Sequence, residues 1–148
     1  MPATLLPGIE PVRAPERTEQ RPVVERSTRI LIVEDEPLTA EVFARALSRD
    51  GHLVEVATDG LQALRRLHDR KPSLVVLDMS LPNISGAEVV RRLRSEGHHN
   101  LPIVVVSGSA RRDAELTAAE LWPGTWLEKP IKPRELVAIV RDFTRQAD

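Results

Sequence analysis

The sequence predicts an α/β fold in which a parallel sheet is covered by helices on both faces. From Arg29 onward, short β-branched apolar runs alternate strictly with segments of helical period. The runs are continuously apolar rather than alternating, as strands buried on both faces require. At 148 residues the chain is long enough for one domain with a proper core and too short for two ordinary ones.

The first run, Ile30-Leu31-Ile32-Val33, leads into Glu34-Asp35-Glu36. Pro37 then stands at a first helical position ahead of the stripe Leu38, Val42, Phe43, Ala46 and Leu47. A second strand is expected from Leu53 to Ala57, and Asp59 with Gln62 has capping-box spacing for the helix after it. The third run, Leu74-Val75-Val76-Leu77, is closed by Asp78 and followed by the Pro- and Gly-punctuated loop Met79 to Gly86. Ser85 and Glu88 repeat the capping-box spacing. The fourth run, Ile103 to Val106, ends in the hydroxyl of Ser107. A helix from about Asp113 to Leu121 has the thinnest apolar stripe, Ala114, Ala118 and Leu121, and is stopped by Trp122-Pro123, so it is expected to be the least firmly docked. A short strand around Trp126-Leu127 runs through Glu128 into Lys129-Pro130, and a final helix opened by Pro133 carries Leu136, Ile139, Val140 and Phe143. Strict alternation implies right-handed crossovers, and sites in such sheets form outside the carboxyl ends of the strands. Glu34, Asp35, Asp78, Ser107 and Lys129 all fall on that edge.

Residues 1–28 differ in kind. Prolines 2, 7, 11, 15 and 22 are spread among arginines and glutamates, with too few periodic apolar residues to offset the entropy of ordering, so a disordered extension is expected. The formal charge of -1 gives no electrostatic reason to expect nucleic acid or an anionic membrane as a partner. The chain has no cysteine, which removes disulfides and thiolate metal sites. No apolar stretch is long enough to span a bilayer and the N-terminus lacks a signal-peptide core, so a cytoplasmic location is the expectation.

Together, the acidic pair Glu34-Asp35, Asp78 with Pro82 and Gly86 after it, Ser107, and Lys129-Pro130 resemble the receiver domain of two-component response regulators. The resemblance covers about Arg29 to Phe143. It assigns 29–148 to a receiver domain of flavodoxin-like, doubly wound (βα)5 type with strand order 2-1-3-4-5. Grouped carboxylates repel one another and demand a hard divalent cation, a demand that Mg²⁺ meets with oxygen ligands. The resemblance implies that Asp35, Asp78 and the backbone carbonyl of Ser80 ligate Mg²⁺, with Glu34 acting largely through water. It makes Asp78 the nucleophile toward a phosphohistidine on a histidine kinase or histidine phosphotransfer protein, Lys129 a compensating charge and Ser107 a hydroxyl donor to the phosphoryl group. Trp126 occupies the aromatic switch position. The resemblance also implies a downstream protein target on the face of helix four, strand five and helix five, where Arg111, Arg112, Glu115, Glu120, Arg134, Arg141 and Arg145 could select it. The chain ends soon after helix five, so a stand-alone receiver is expected.

Taken singly, each residue has a structural reading: Asp35 and Glu36 can support a helix start, Asp78 can be a loop carboxylate, Ser107 can end a strand, Lys129 can be a surface lysine, and Trp126 can be packed rather than moving. Their coincidence at one sheet edge favours the joint functional reading. His52, His68, His98 and His99 lack ligand spacing and are read as solvated. Two alternatives differ in class. An aspartyl-nucleophile phosphatase resembling the haloacid dehalogenase family would need a second Asp two residues after the first, where Ser80 stands. A phosphorylation-independent interaction module would leave the pocket vestigial.

Overall fold

The computed structural model describes residues 28–108 and 116–146. The expectations for the leader, and for Arg111, Arg112, Asp113, Ala114 and Glu115, lie outside the described residues. Ten elements alternate: β1 (Arg29–Val33), α1 (Pro37–Arg49), β2 (Leu53–Ala57), α2 (Gly60–Asp69), β3 (Leu74–Asp78), α3 (Gly86–Ser95), β4 (Ile103–Ser107), α4 (Ala118–Leu121), β5 (Gly124–Glu128) and α5 (Pro133–Gln146). All strand pairs are parallel and the order is β2-β1-β3-β4-β5, as the resemblance implies.

Alternate residues of the central strands feed two cores. Leu31, Val33, Val75, Leu77, Ile103 and Val105 pack with Ala63 and Leu67 of α2 and Val89, Val90 and Leu93 of α3. Ile30, Ile32, Leu74, Val76, Val104 and Val106 pack with Phe43 and Leu47 of α1 and Leu136 and Val140 of α5. This two-sided burial is the physical reason the strand sequences are continuously apolar.

Several local expectations need correction. In α1 the buried residues are Ala40, Phe43 and Leu47, whereas Leu38 and Val42 are 68% and 46% exposed. The buried face follows the i, i+3, i+7 row, and Leu38 and Val42 form a neighbouring i, i+4 row turned to solvent. Ser85 caps α3 by accepting from the Glu88 amide at 3.1 Å, but the Glu88 carboxylate pairs with Arg92 at 3.0 Å instead of reaching back. A full capping box appears at Thr117 and Glu120, so within the described residues α4 spans only Ala118–Leu121 and starts later than Asp113. Ala118 is exposed and Leu116 joins Leu121 in the core, so the stripe is not the expected one. With Leu121 as its one buried residue, α4 packs chiefly against α3, as a lightly docked helix does, and polar contacts tie it there. Arg91 pairs with Glu120 at 2.9 Å, and the Arg94 guanidinium donates to the carbonyls of Glu120, Leu121, Pro123, His98 and Leu101. Burial pushes the Arg94 pKa down, and the ring of carbonyls compensates the guanidinium.

Candidate functional site

The carboxyl ends of β1 and β3 place two acidic side chains side by side, because the strands are adjacent and in register from Ile30↔Leu74 to Val33↔Leu77. Glu34 and Asp78 are 3% and 5% exposed, in contrast to the exposed Asp35 beside them. Single carboxylate oxygens of Glu34, Asp35 and Asp78 all lie within 4.8 Å of one another. Three acids this close repel, and burial adds to the repulsion. Burial first, and the Asp78 charge second, push Glu34 up to about 7, while the Glu36 amide and Lys129 pull in the other direction.

The compensating groups come from three directions. Lys129, immediately after β5, holds its Nζ 3.8 Å from both Glu34 Oε1 and Asp78 Oδ1. The Ser80 amide donates to Asp78 Oδ1 at 3.1 Å, and the Glu36 amide donates to Glu34 Oε2 at 3.2 Å. Glu36 also caps α1, its Oε1 accepting from the Thr39 amide at 2.8 Å, which leaves Asp35 at the turn between strand and helix. Ser107 ends β4, 3% exposed, and its carbonyl accepts from the Lys129 amide at 2.7 Å, tying the hydroxyl-bearing residue to the lysine-bearing one. The Lys129-Pro130 peptide bond is cis.

All the residues singled out at strand ends are therefore brought to one edge. The acidic trio suits a hard divalent cation on its donor chemistry, with oxygen ligands of net negative charge and one buried member that resists ionisation while no cation is bound. Ser80 lies at the start of the loop after Asp78, and Gly86 closes that loop by donating its amide to the Met79 carbonyl at 3.3 Å. The glycine is required there: a Cβ would lie 2.7 Å from Met79 Sδ, 2.8 Å from its Cα and 3.0 Å from the Asp78 carbonyl oxygen. Trp126, opposite Val105 in the β4–β5 register, is half-buried against the core on the α2–α3 face.

Two parts of the expected surroundings differ. His52 is not solvated: its side chain is 9% exposed, between Thr28 and Asp50 at the opposite edge of the sheet. Of the charged residues expected to select a target, Arg134, Arg141 and Arg145 are exposed, Arg141 while paired with Asp50, and the partly buried Glu120 is engaged by Arg91. The Arg94 cage went unrecognised because its partners are backbone carbonyls of α4 and of two loops, which carry no side-chain signature. No helix among the described residues is long and apolar enough to cross a membrane.

The chain matches the family described as response regulator receiver domain over residues 30–141. It is 36% identical over 120 residues to Response regulator MprA of Mycobacterium ulcerans (strain Agy99), covering 81% of this chain and 51% of that protein. The chain thus spans about half the length of the curated relatives it matches. A CheY-like response regulator receiver domain structure from Methylobacillus flagellatus is 32% identical, with a TM-score of 0.69 over 79% of this chain and 98% of that one. A CheY-like receiver domain protein from Methanospirillum hungatei JF-1, 21% identical, superposes with a TM-score of 0.74 over 81% of this chain and 95% of that one, a likeness of fold.

Proposed function

The chain belongs to the response regulator receiver domain family of two-component signalling, and from that premise we propose that Asp78 is its phosphoacceptor. The observation that carries the reading is the position of Lys129 Nζ, 3.8 Å from a buried Asp78 within a trio of carboxylates. An oxygen of the Asp78 carboxylate attacks the phosphorus of a phosphohistidine on a histidine kinase or phosphotransfer protein. The phosphorus–nitrogen bond breaks, its electron pair returns to the imidazole, and an acyl phosphate forms on Asp78. Asp35, Asp78 and the Ser80 carbonyl would hold Mg²⁺, with Glu34 acting through water. When bound, the ion supplies charge neutralisation for the transferring phosphoryl group.

The chain's own residues do the rest. Lys129 acts as a point charge that can follow a phosphoryl oxygen, because its amine is not fixed in a fork. The Ser80 amide, already on Asp78 Oδ1, orients the carboxylate. The Ser107 hydroxyl donates to a phosphoryl oxygen, a charge-assisted bond worth about 1.5 to 3 kcal/mol that exists only in the phosphorylated state. That difference biases the β4–β5 end of the sheet, and through Trp126 a partner-binding face on α4, β5 and α5. A haloacid-dehalogenase-like reading finds no support, since Ser80 stands where the second acid is needed and offers Asp78 an amide.

Incubation with acetyl phosphate and Mg²⁺ should add one phosphoryl mass to wild type, none to Asp78→Ala, and far less to Asp35→Ala at equal Mg²⁺. Equal uptake by Asp78→Ala would remove the assignment, and wild type that takes up nothing would favour the phosphorylation-independent module.

A further inference from the structure

Gly60 opens α2 directly against the loop that joins β3 to α3, and Ile84 occupies the space its missing side chain leaves. A Cβ built on Gly60 would collide with Cγ1 of Ile84 and lie 3.0 Å from its Cδ1 and 2.9 Å from Cγ2 of Val89. Gly60 is not among the positive-φ residues, so its backbone does not require glycine; the close approach of Ile84 does.

The loop on the other side of that contact is short and well tied. Met79, Leu81 and Ile84 pack against the core on the α2–α3 face. The Ser80 amide donates to Asp78 Oδ1, the Ile84 amide donates to the Pro82 carbonyl at 3.0 Å, and Asn83 takes a left-handed φ of 76°. The Gly86 amide closes the loop on Met79. A segment held at both ends transmits a displacement of Ile84 to its other members.

We propose that Gly60 and Ile84 are a positioning pair: Ile84, seated in the gap at Gly60, sets the β3–α3 loop and with it the Ser80 carbonyl offered to Mg²⁺. The inference rests on the reading of the pocket given above. Neither residue touches the reacting atoms, and both act through Ser80. The contrast with Gly86 explains why the pair can tune the site rather than break it. A side chain at Gly86 meets the backbone of Met79 and Asp78, whereas one at Gly60 meets only side chains. Of those, Val89 is fully buried in α3 and held there, while Ile84 is half-buried on a loop and yields.

The test uses the full chain with Gly60→Ala, Ile84→Ala and the double substitution. It reads the Met79 and Ser80 amide shifts in metal-free protein and the Mg²⁺ affinity from a titration of those shifts. Both single variants should move the Ser80 amide before any metal is added and weaken Mg²⁺ binding about tenfold, as loss of a ligand-orienting contact does. The double variant should bind less weakly than the sum of the two single effects, because the added Cβ then has no Ile84 to displace and meets Val89 alone. Single variants with wild-type Ser80 shifts and wild-type affinity overturn the pair, and so do effects that simply add in the double variant. If Gly60→Ala does not fold, Ile84→Ala carries the test, since it trims a half-buried loop side chain. Wild type that takes no Mg²⁺ overturns the pocket reading itself, whereas wild type that takes it with variants indistinguishable from it overturns the positioning alone.

Discussion

His52 sits between groups that act on its charge in opposite directions. Burial, the larger influence, lowers its pKa; Asp50, whose Oδ2 lies 3.5 Å from the ring Nε2, raises it. Asp50 is itself held by the Arg141 guanidinium, with Nε donating to Oδ2 at 2.8 Å, and that bond keeps its carboxyl below the usual range. Both groups have depressed folded-state values, so their contribution is present above the unfolded pKa and lost as pH falls. For His52 the window opens below about pH 6.5. Glu34 runs the other way: raised from 4.5 to about 7, it costs stability as pH rises through that interval. A comparison of wild type with His52→Gln cancels the Glu34 contribution. The stability advantage of wild type should narrow on going from pH 8 to pH 5, as followed by urea unfolding at each pH. An advantage that stays constant or widens would show that His52 is not held neutral by burial.

Among the elements, β5 and α4 carry the proposed switch. Ser107 and Trp126 lie on neighbouring strands, Val105 pairing with Trp126 and Ser107 with Glu128. In the proposed switch, a Ser107 hydroxyl drawn to a phosphoryl oxygen would change the packing that the indole meets. In a Trp122→Phe background, which removes a second indole that is 72% exposed, the phosphoryl mimic beryllofluoride with Mg²⁺ should alter emission, and Asp78→Ala should abolish the response. Amide shifts should change at Leu116 and Thr117 more than at Glu120 and Leu121, which Arg91 and Arg94 tie to α3. Unchanged emission with the mimic bound, seen in fluorine spectra, would leave Trp126 as a packed side chain. The strands were legible because burial on both faces writes itself as uninterrupted apolar runs, and Ile30 to Val33 and Ile103 to Val106 lie where those runs place them. The helices were less so. The apolar pattern of α1 fits two adjacent rows, and only packing selects Ala40, Phe43 and Leu47 over Leu38 and Val42. The seat of Ile84 at Gly60 joins residues far apart in sequence and leaves no local pattern to read.

Across the whole molecule, β1, β3, β4 and β5 deliver Glu34, Asp35, Asp78, Ser107 and Lys129 to one edge of the five-stranded sheet, while Thr28, Asp50, His52 and Arg141 gather at the other. The shared position of the first five was legible because each stands at or just after the end of a strand and the strand order follows from the family. The Arg94 cage was not, for its partners are backbone carbonyls. The Thr28 carbonyl accepts from the Leu53 amide at 2.8 Å, so the described fold begins at the residue before β1. The composition of residues 1–27, rich in proline and poor in periodic apolar residues, predicts that they do not contribute to the core. A chain starting at Ser27 should keep its melting temperature within about 2 °C, the shift that a few tenths of a kcal/mol produces; a larger fall would show that the leader packs on the domain. In the proposed reaction the phosphoryl group resides on Asp78 as an acyl phosphate. Reduction of the phosphorylated protein with borohydride converts an acyl phosphate on aspartate to homoserine, which peptide mass mapping locates. Homoserine is expected at position 78 alone and only when Mg²⁺ was present during phosphorylation, whereas homoserine at position 35, or label that survives borohydride unreduced on another residue type, would rule out Asp78 as the phosphoacceptor.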